Sequence, residues 1–217
     1  MVKVPGAADV KTRLRPMLSA AQCDSLSVCF LQDTIAGIEK NFKNIIVAFT
    51  PEHGREQLKN ILGEHHTLIA QRGSDLGERL IAVIADAHGK GFAPVIVVGT
   101  DSPTLPPRHL AAALEHLQMH DNGVSVGPTE DGGYYLIGLS KPREEIFRNI
   151  SWSTNCVFDQ TVASIKKAGD LELQILPTWH DIDEPDDLRR LGVELTTDEQ
   201  AGERAKKTRS WMLAAGW

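Results

Sequence analysis

Cysteine is scarce in this 217-residue chain: three thiols, Cys23, Cys29 and Cys156, with no C-x-x-C pair among them. That odd, dispersed count excludes a disulfide framework and a zinc knuckle, and it suits a reduced, cytoplasmic protein. No stretch approaches the ~18 consecutive apolar residues that a membrane span needs. The basic segment 1–16 has no apolar run, so it does not read as a signal peptide. Basic charge is also short: 23 Lys and Arg stand against 29 Asp and Glu, a net charge of −6. Nucleic-acid affinity comes from clustered Lys and Arg, so a nucleic acid is not expected as a partner, whereas a nucleotide needs only one local basic loop. Repeats, low-complexity tracts and an evident linker are absent too. What remains is an ordinary globular balance, 41% hydrophobic and 24% charged, in a chain long enough for one substantial domain.

Short apolar runs alternate with amphipathic stretches. Strands are expected over 44–50, 67–71, 94–100, 123–127, 134–139 and 172–177. Helices are expected over 19–40, 53–62, 76–88, 107–120, 154–168 and 185–191. Val28, Leu31, Ile35 and Ile38 recur at helical spacing. Residues 45–49 and 95–98 are unbroken apolar runs, the mark of strands buried on both faces. Alternation of strand and helix predicts an α/β fold with a mostly parallel sheet flanked by helices. Two successive strands, 123–127 and 134–139, make that sheet mixed. Residues 1–195 are expected as one domain. Residues 196–217 are expected as a tail, with 197–217 a single charged helix carrying Trp211 and Trp217 that packs back on the domain or forms a homodimer contact.

Five segments could carry chemistry. Residues 3–14 place Lys3, Lys11 and Arg13 in a loop with Pro5 and Gly6, followed by Arg15. Convergent cations on a backbone that can approach closely suit a di- or triphosphate. The G-x-x-x-x-G-K-[ST] loop is absent. Residues 97–105 run an apolar strand into Asp101, at the strand end where open α/β sheets bind ligands. A carboxylate there can hold a hard divalent cation, or it can serve as a turn or cap. In Asp131-Gly132-Gly133-Tyr134, an acid beside glycines reads as a hairpin turn or as an acceptor pocket. Asp181 and Asp183 alternate near a strand end and can flank one point, and Asp183 is also placed to cap a helix before Pro185. Gln71, Gly73, Leu76 and Gly77 lie in a glycine loop that opens a helix, with Asp75 as its expected cap. His116 and His120, four apart without the metalloprotease Glu, read as a solvated helix face.

Taken in order, these segments resemble a bacterial glycosyltransferase-like family of GT-A fold, within the nucleotide-diphospho-sugar transferases. The pattern stands here at 3–14, 73–79, 99–105, 131–138, 152–154 and 181–188, and covers roughly 1–191. The basic loop is also similar to that of 2-phospholactate guanylyltransferases. The resemblance implies a Rossmann-like GT-A fold and a metal-dependent transferase with a nucleotide or nucleotide-sugar donor and a small-molecule acceptor. It implies donor contacts from Lys3, Pro5, Gly6, Lys11, Arg13, Gln71, Gly73, Leu76 and Gly77. Mg²⁺ or Mn²⁺ would sit on Asp101 with Asp183 or Asp181. The acceptor would lie near Asp131, Gly132, Gly133 and Tyr134, and the catalytic set would be Asp101, Asp131, Lys11 and Arg13. Two departures stand out. The family's loop glycine is Ala8 here, with a glycine instead at Gly6. Only Met1 and Val2 precede Lys3 where relatives carry a longer first strand, so either the start lies upstream or that strand is short. A non-catalytic nucleotide-binding protein on the same fold is the alternative function, and a phosphate-ester hydrolase a third.

Overall fold

The computed structural model describes residues 1–217 and has the order β1 (Val2–Lys3), α1 (Ala20–Glu39), β2 (Ile46–Thr50), α2 (Arg55–Leu62), β3 (Thr67–Ala70), α3 (Leu76–Gly89), β4 (Val95–Val98), α4 (Pro107–Met119), β5 (Gly123–Pro128), β6 (Tyr134–Leu139), α5 (Val157–Ala168), β7 (Glu172–Ile175), α6 (Pro185–Thr197), α7 (Glu199–Arg204) and α8 (Lys206–Ala214). No helix is long and apolar enough to cross a membrane. The chain divides into two compact units. One holds Met1–Ala70, Thr100–Pro107 and Asp181–Trp217; the other holds Gln71–Gly99 and Arg108–His180.

The first unit contains a parallel sheet ordered β1-β2-β3. β1 is two residues long, with Val2 opposite Phe49 and Lys3 opposite Thr50. Its strands and helices close over Val2, Val4, Leu31, Ile35, Val47, Phe49 and Leu58. Ser19 starts α1 with a reciprocal cap: its hydroxyl accepts from the Gln22 amide at 3.3 Å and Gln22 Oε1 accepts from the Ser19 amide at 2.9 Å. The tail is not one helix. α6 runs on to Thr197, Asp198 caps α7 by accepting from the Gln200 amide at 2.8 Å, and a second break at Ala205 starts α8. A side-chain acceptor at Asp198 gives the chain a local alternative to continuing the helical ladder. Ala205 and Met212 join Leu14, Leu26, Phe30, Ile182 and Leu191 in one apolar cluster, with Trp211 and Trp217 packed on it. The buried Asp33 carboxylate accepts the amides of Lys207 at 3.0 Å and Thr208 at 2.8 Å, satisfying free donors at the start of α8.

The second unit holds a mixed sheet ordered β4-β6-β5-β7. β6 runs antiparallel to both β4 and β5, and β7 is parallel to β5. The late break in alternation is therefore the β5–β6 pair expected from the sequence. β5 is buried along its whole length. Gly127 is required there: a Cβ would stand 2.3 Å from the Tyr135 ring. His116 and His120 are not simply solvated. His116 Nε2 lies 2.9 Å from the Glu172 carbonyl and His120 Nδ1 lies 2.5 Å from the Glu172 carboxylate.

Candidate functional site

The basic loop follows β1 directly. The Val4 carbonyl accepts the amides of Ala7 and Ala8 at 3.2 and 3.1 Å, which makes a tight turn. Gly6 occupies the left-handed region at φ 77°, so the turn needs its glycine at position 6, and Ala8 meets no such demand. The second left-handed residue is Lys11, at φ 47° and ψ 40°. A non-glycine residue there costs about 1–2 kcal/mol, so other contacts must hold it.

Those contacts are two carboxylates. Lys11 Nζ forms a close ion pair with Asp101 and lies 2.8 Å from Asp183 Oδ1. The Lys11 side chain is only 6% exposed, against 50% for Asp101 and 37% for Asp183. Burial alone would depress the Lys11 pKa, but the Asp101 and Asp183 carboxylates outweigh it and raise the ammonium above its ordinary value. The two acidic segments are joined by backbone, since the Ile182 amide donates to the Asp101 carbonyl at 3.0 Å. Asp183 does not cap α6 as the sequence suggested. The cap position falls on Glu184, and Asp187 Oδ2 accepts the amides of Glu184 at 2.7 Å and Asp183 at 3.1 Å. The Asp183 carboxylate is thereby left to face Lys11. Arg13 is exposed, with Nη1 4.0 Å from Asp183 Oδ2.

A cavity of about 210 Å³ opens at this cluster, lined in part by Lys3, Lys11, Thr12, Thr100, Asp101 and Asp183. Ligand pockets for whole small molecules run to roughly 300–1,000 Å³, so this cavity is smaller than a site that encloses a complete ligand. Asp181 lies two residues before Asp183 on the same segment, and Pro5 and Gly6 form the turn. Of the residues singled out in this unit, the structure brings Lys11, Asp101 and Asp183 into one contact group. Thr12 and Thr100 lie within the segments 3–14 and 99–105, but only the folded chain shows that both line this cavity.

The candidates in the second unit have local tasks. Asp75 caps α3, accepting from the Glu78 amide at 2.8 Å. Glu78 Oε2 accepts from the Ser74 amide and hydroxyl at 2.7 and 2.8 Å, and those bonds hold its carboxyl below the ordinary value. Gly73 takes φ 134° at this turn. A Cβ on Gly77 would meet the Trp152 indole at 2.7 Å, so Gly77 lets α3 pack there. Gln71 precedes this loop, and Leu76 opens the helix with 42% exposure. Asp131 Oδ1 accepts from Thr129 Oγ1 at 2.5 Å and from the Gly133 amide at 3.0 Å, the bonds of a side-chain-stabilised turn. Gly132 is left-handed at φ 89°, and a Cβ there would stand 2.1 Å from the Asn155 carbonyl oxygen. Burial pushes the Tyr134 phenol well above its ordinary pKa.

The fold is thus an α/β, Rossmann-like one, and its charged loop, cavity and acid pair lie together. The chain belongs to the bacterial family described as "Uncharacterized protein conserved in bacteria (DUF2064)", which matches residues 34–154. It is similar in structure to a protein of Desulfovibrio desulfuricans G20 described as a "putative nucleotide-diphospho-sugar transferase". That similarity has a TM-score of 0.84 and 31% identity, over 97% of this chain and 95% of the other. A weaker likeness is to Rv0371c of Mycobacterium tuberculosis H37Rv, with TM-score 0.47 and 16% identity, over 76% of this chain and 81% of that one. No curated protein matches the chain by sequence.

Proposed function

We propose that the protein is a metal-dependent transferase that takes a nucleotide or nucleotide sugar as donor and transfers a glycosyl or nucleotidyl group to a small-molecule acceptor. The observation that carries this reading is the buried Lys11 ammonium, held by Asp101 and Asp183 at the wall of a cavity of about 210 Å³. The description of the D. desulfuricans protein as a "putative nucleotide-diphospho-sugar transferase" supports the donor class. Three unpaired thiols suit a reducing, cytoplasmic setting.

The acid pair suits a hard divalent cation, because both carboxylates already converge on one positive charge, the Lys11 ammonium. The same geometry sets a condition: the ammonium and a metal ion cannot share that point, so Lys11 must move aside. Mg²⁺ or Mn²⁺ on Asp101 and Asp183, with Asp181 next along the chain, would supply Lewis-acid charge toward a diphosphate. Lys11, once displaced, has the donor phosphates as its new partner. Lys3 adds charge at the same wall, and the exposed Arg13 stands 4.0 Å from Asp183. In glycosyl transfer the acceptor oxygen bonds to the anomeric carbon, the bond from that carbon to phosphate oxygen breaks, and nucleoside diphosphate leaves. In nucleotidyl transfer an acceptor phosphate oxygen bonds to the α-phosphorus and pyrophosphate leaves. Both place growing negative charge on a phosphate that Lys11 and Arg13 can stabilise. Gln71, Gly73, Leu76 and Gly77 remain donor-side candidates, and Asp131, Gly132, Gly133 and Tyr134 acceptor-side ones, with Asp131 as the candidate base.

The test is thermal unfolding with a panel of nucleoside triphosphates and nucleotide sugars, each with and without Mn²⁺, on wild type and Asp101→Asn. A ligand at about 100 times its Kd adds about 2.7 kcal/mol, or on the order of 5–10 °C for a chain of this length. The expected result is a metal-dependent shift in wild type that is lost in a folded Asp101→Asn. An equal shift in both proteins would overturn the assignment. A shift without turnover on any acceptor would favour the non-catalytic nucleotide-binding alternative.

A further inference from the structure

Apart from the acid pair, Glu39, His65 and His66 form another convergence of ligating side chains. Glu39 is the last residue of α1, and the two histidines lie in the loop between α2 and β3. Gly63 sets that loop: its amide donates to the Lys59 carbonyl at 2.7 Å to end α2, and its φ of 84° turns the chain. One carboxylate oxygen, one nitrogen of His65 and one of His66 all lie within 4.8 Å of one another. Both Nε2 atoms face the same Glu39 Oε1, at 3.7 Å from His65 and 3.8 Å from His66. The His66 side chain is only 6% exposed.

Those two distances are the informative feature. An N–H···O hydrogen bond closes to about 2.7–3.2 Å, so neither ring is hydrogen-bonded to Glu39. Ligand atoms bound to one ion at about 2.0–2.2 Å, with angles between tetrahedral and trigonal, stand roughly 3.3–3.8 Å apart. The observed spacings fall in that second range. His116, His120 and Glu172 provide an internal contrast with the same three residue types. There His120 closes to 2.5 Å on the Glu172 carboxylate and His116 to 2.9 Å on the Glu172 backbone carbonyl, and no ion fits between hydrogen-bonded partners.

We propose that Glu39, His65 and His66 bind a borderline divalent transition-metal ion, Zn²⁺ in the first instance, tying the C-terminal end of α1 to the α2–β3 loop. Two neutral imidazole nitrogens and one carboxylate oxygen donate to the ion, any ring proton passes to solvent, and solvent completes the coordination. Imidazole donors select Zn²⁺, Ni²⁺ or Cu²⁺ over Mg²⁺, so this site differs in metal class from the oxygen-only pair Asp101 and Asp183.

The experiment is calorimetric titration of tag-free protein with Zn²⁺ in a non-chelating buffer, paired with the visible spectrum of added Co²⁺. Wild type should bind one Zn²⁺ per chain, and Co²⁺ should show the intense bands of a low-coordinate site. The double variant His65→Ala, His66→Ala should lose at least tenfold in affinity together with the Co²⁺ bands. Glu39→Gln, which leaves the loop untouched, should weaken binding in the same direction, and Asp101→Asn should keep the Co²⁺ bands of the histidine site. Undiminished binding in the folded double variant would overturn the proposal, as would the absence of Zn²⁺ binding to wild type. Loss of binding in Asp101→Asn alone would assign the ion to the acid pair instead.

Discussion

The two units of this protein use the same residue types, acids and glycines in loops, for different ends. In the unit with the parallel sheet, Lys11, Asp101 and Asp183 spend their side chains on one another beside a cavity. In the unit with the mixed sheet, Asp75, Asp131, Gly77 and Gly132 are occupied by caps, a turn and close packing. A buried ammonium held in a left-handed backbone opposes stability unless it is paired. A cap or a tight glycine lowers the energy of the fold by itself. Chemistry is therefore better sought where the structure carries a local cost than where a side chain already caps a helix or closes a turn.

That contrast can be broken by substitution. The largest effect is expected from Gly132→Ala, which combines φ 89° with a Cβ 2.1 Å from the Asn155 carbonyl oxygen. Urea denaturation should show a loss of at least about 3 kcal/mol or a failure to fold. Near-native stability would remove the packing explanation and return Gly132 to the acceptor pocket.

Asp183→Ala comes next. It leaves Lys11 buried with one partner fewer, but Asp183 is 37% exposed, so the 3–5 kcal/mol of a fully buried broken pair must be discounted. A loss of about 1–2 kcal/mol is expected. Lys11→Met should cost less than about 1 kcal/mol, because it removes the buried charge and leaves two carboxylates that water can reach. The same variant should bind Mn²⁺ more tightly than wild type while its diphosphate affinity falls at least tenfold. Calorimetry reads both, and unchanged Mn²⁺ affinity would refute competition between Lys11 and metal for one point.

The smallest effect sharpens the comparison. Asp131→Asn should cost about 1 kcal/mol, the scale of a turn hydrogen bond, with donor binding intact. If turnover, once an acceptor is found, falls a hundredfold in that variant, the mixed-sheet unit also carries a catalytic acid.

Much of this was legible in the residues. The apolar runs 45–49 and 95–98 mark β2 and β4, and the late pair of strands marks the mixed sheet. Asp75 is followed three residues on by Glu78, which gives the start of α3. The break at Asp198 was not legible, because the charge pattern of 197–217 is compatible with one helix. Capping of the last helix by Asp33 links positions 174 residues apart, and no local pattern carries that. At the site, the acids and the basic loop stood out as separate motifs. Their union on Lys11 did not, nor did the cap at Glu184 that frees Asp183. Glu39, His65 and His66 escaped notice because the histidines are adjacent and their third partner lies 26 positions away in the sequence.

The sequence by itself determined most of the elements before the tail, the α/β class and the residue types available for holding phosphate, since hydrophobic period, caps and turn glycines act over a few neighbours. Only the tertiary structure decided which charges meet. An ion pair's energy depends on distance and burial, and both are set when segments such as 9–13, 100–102 and 181–183 are brought together by the folded backbone.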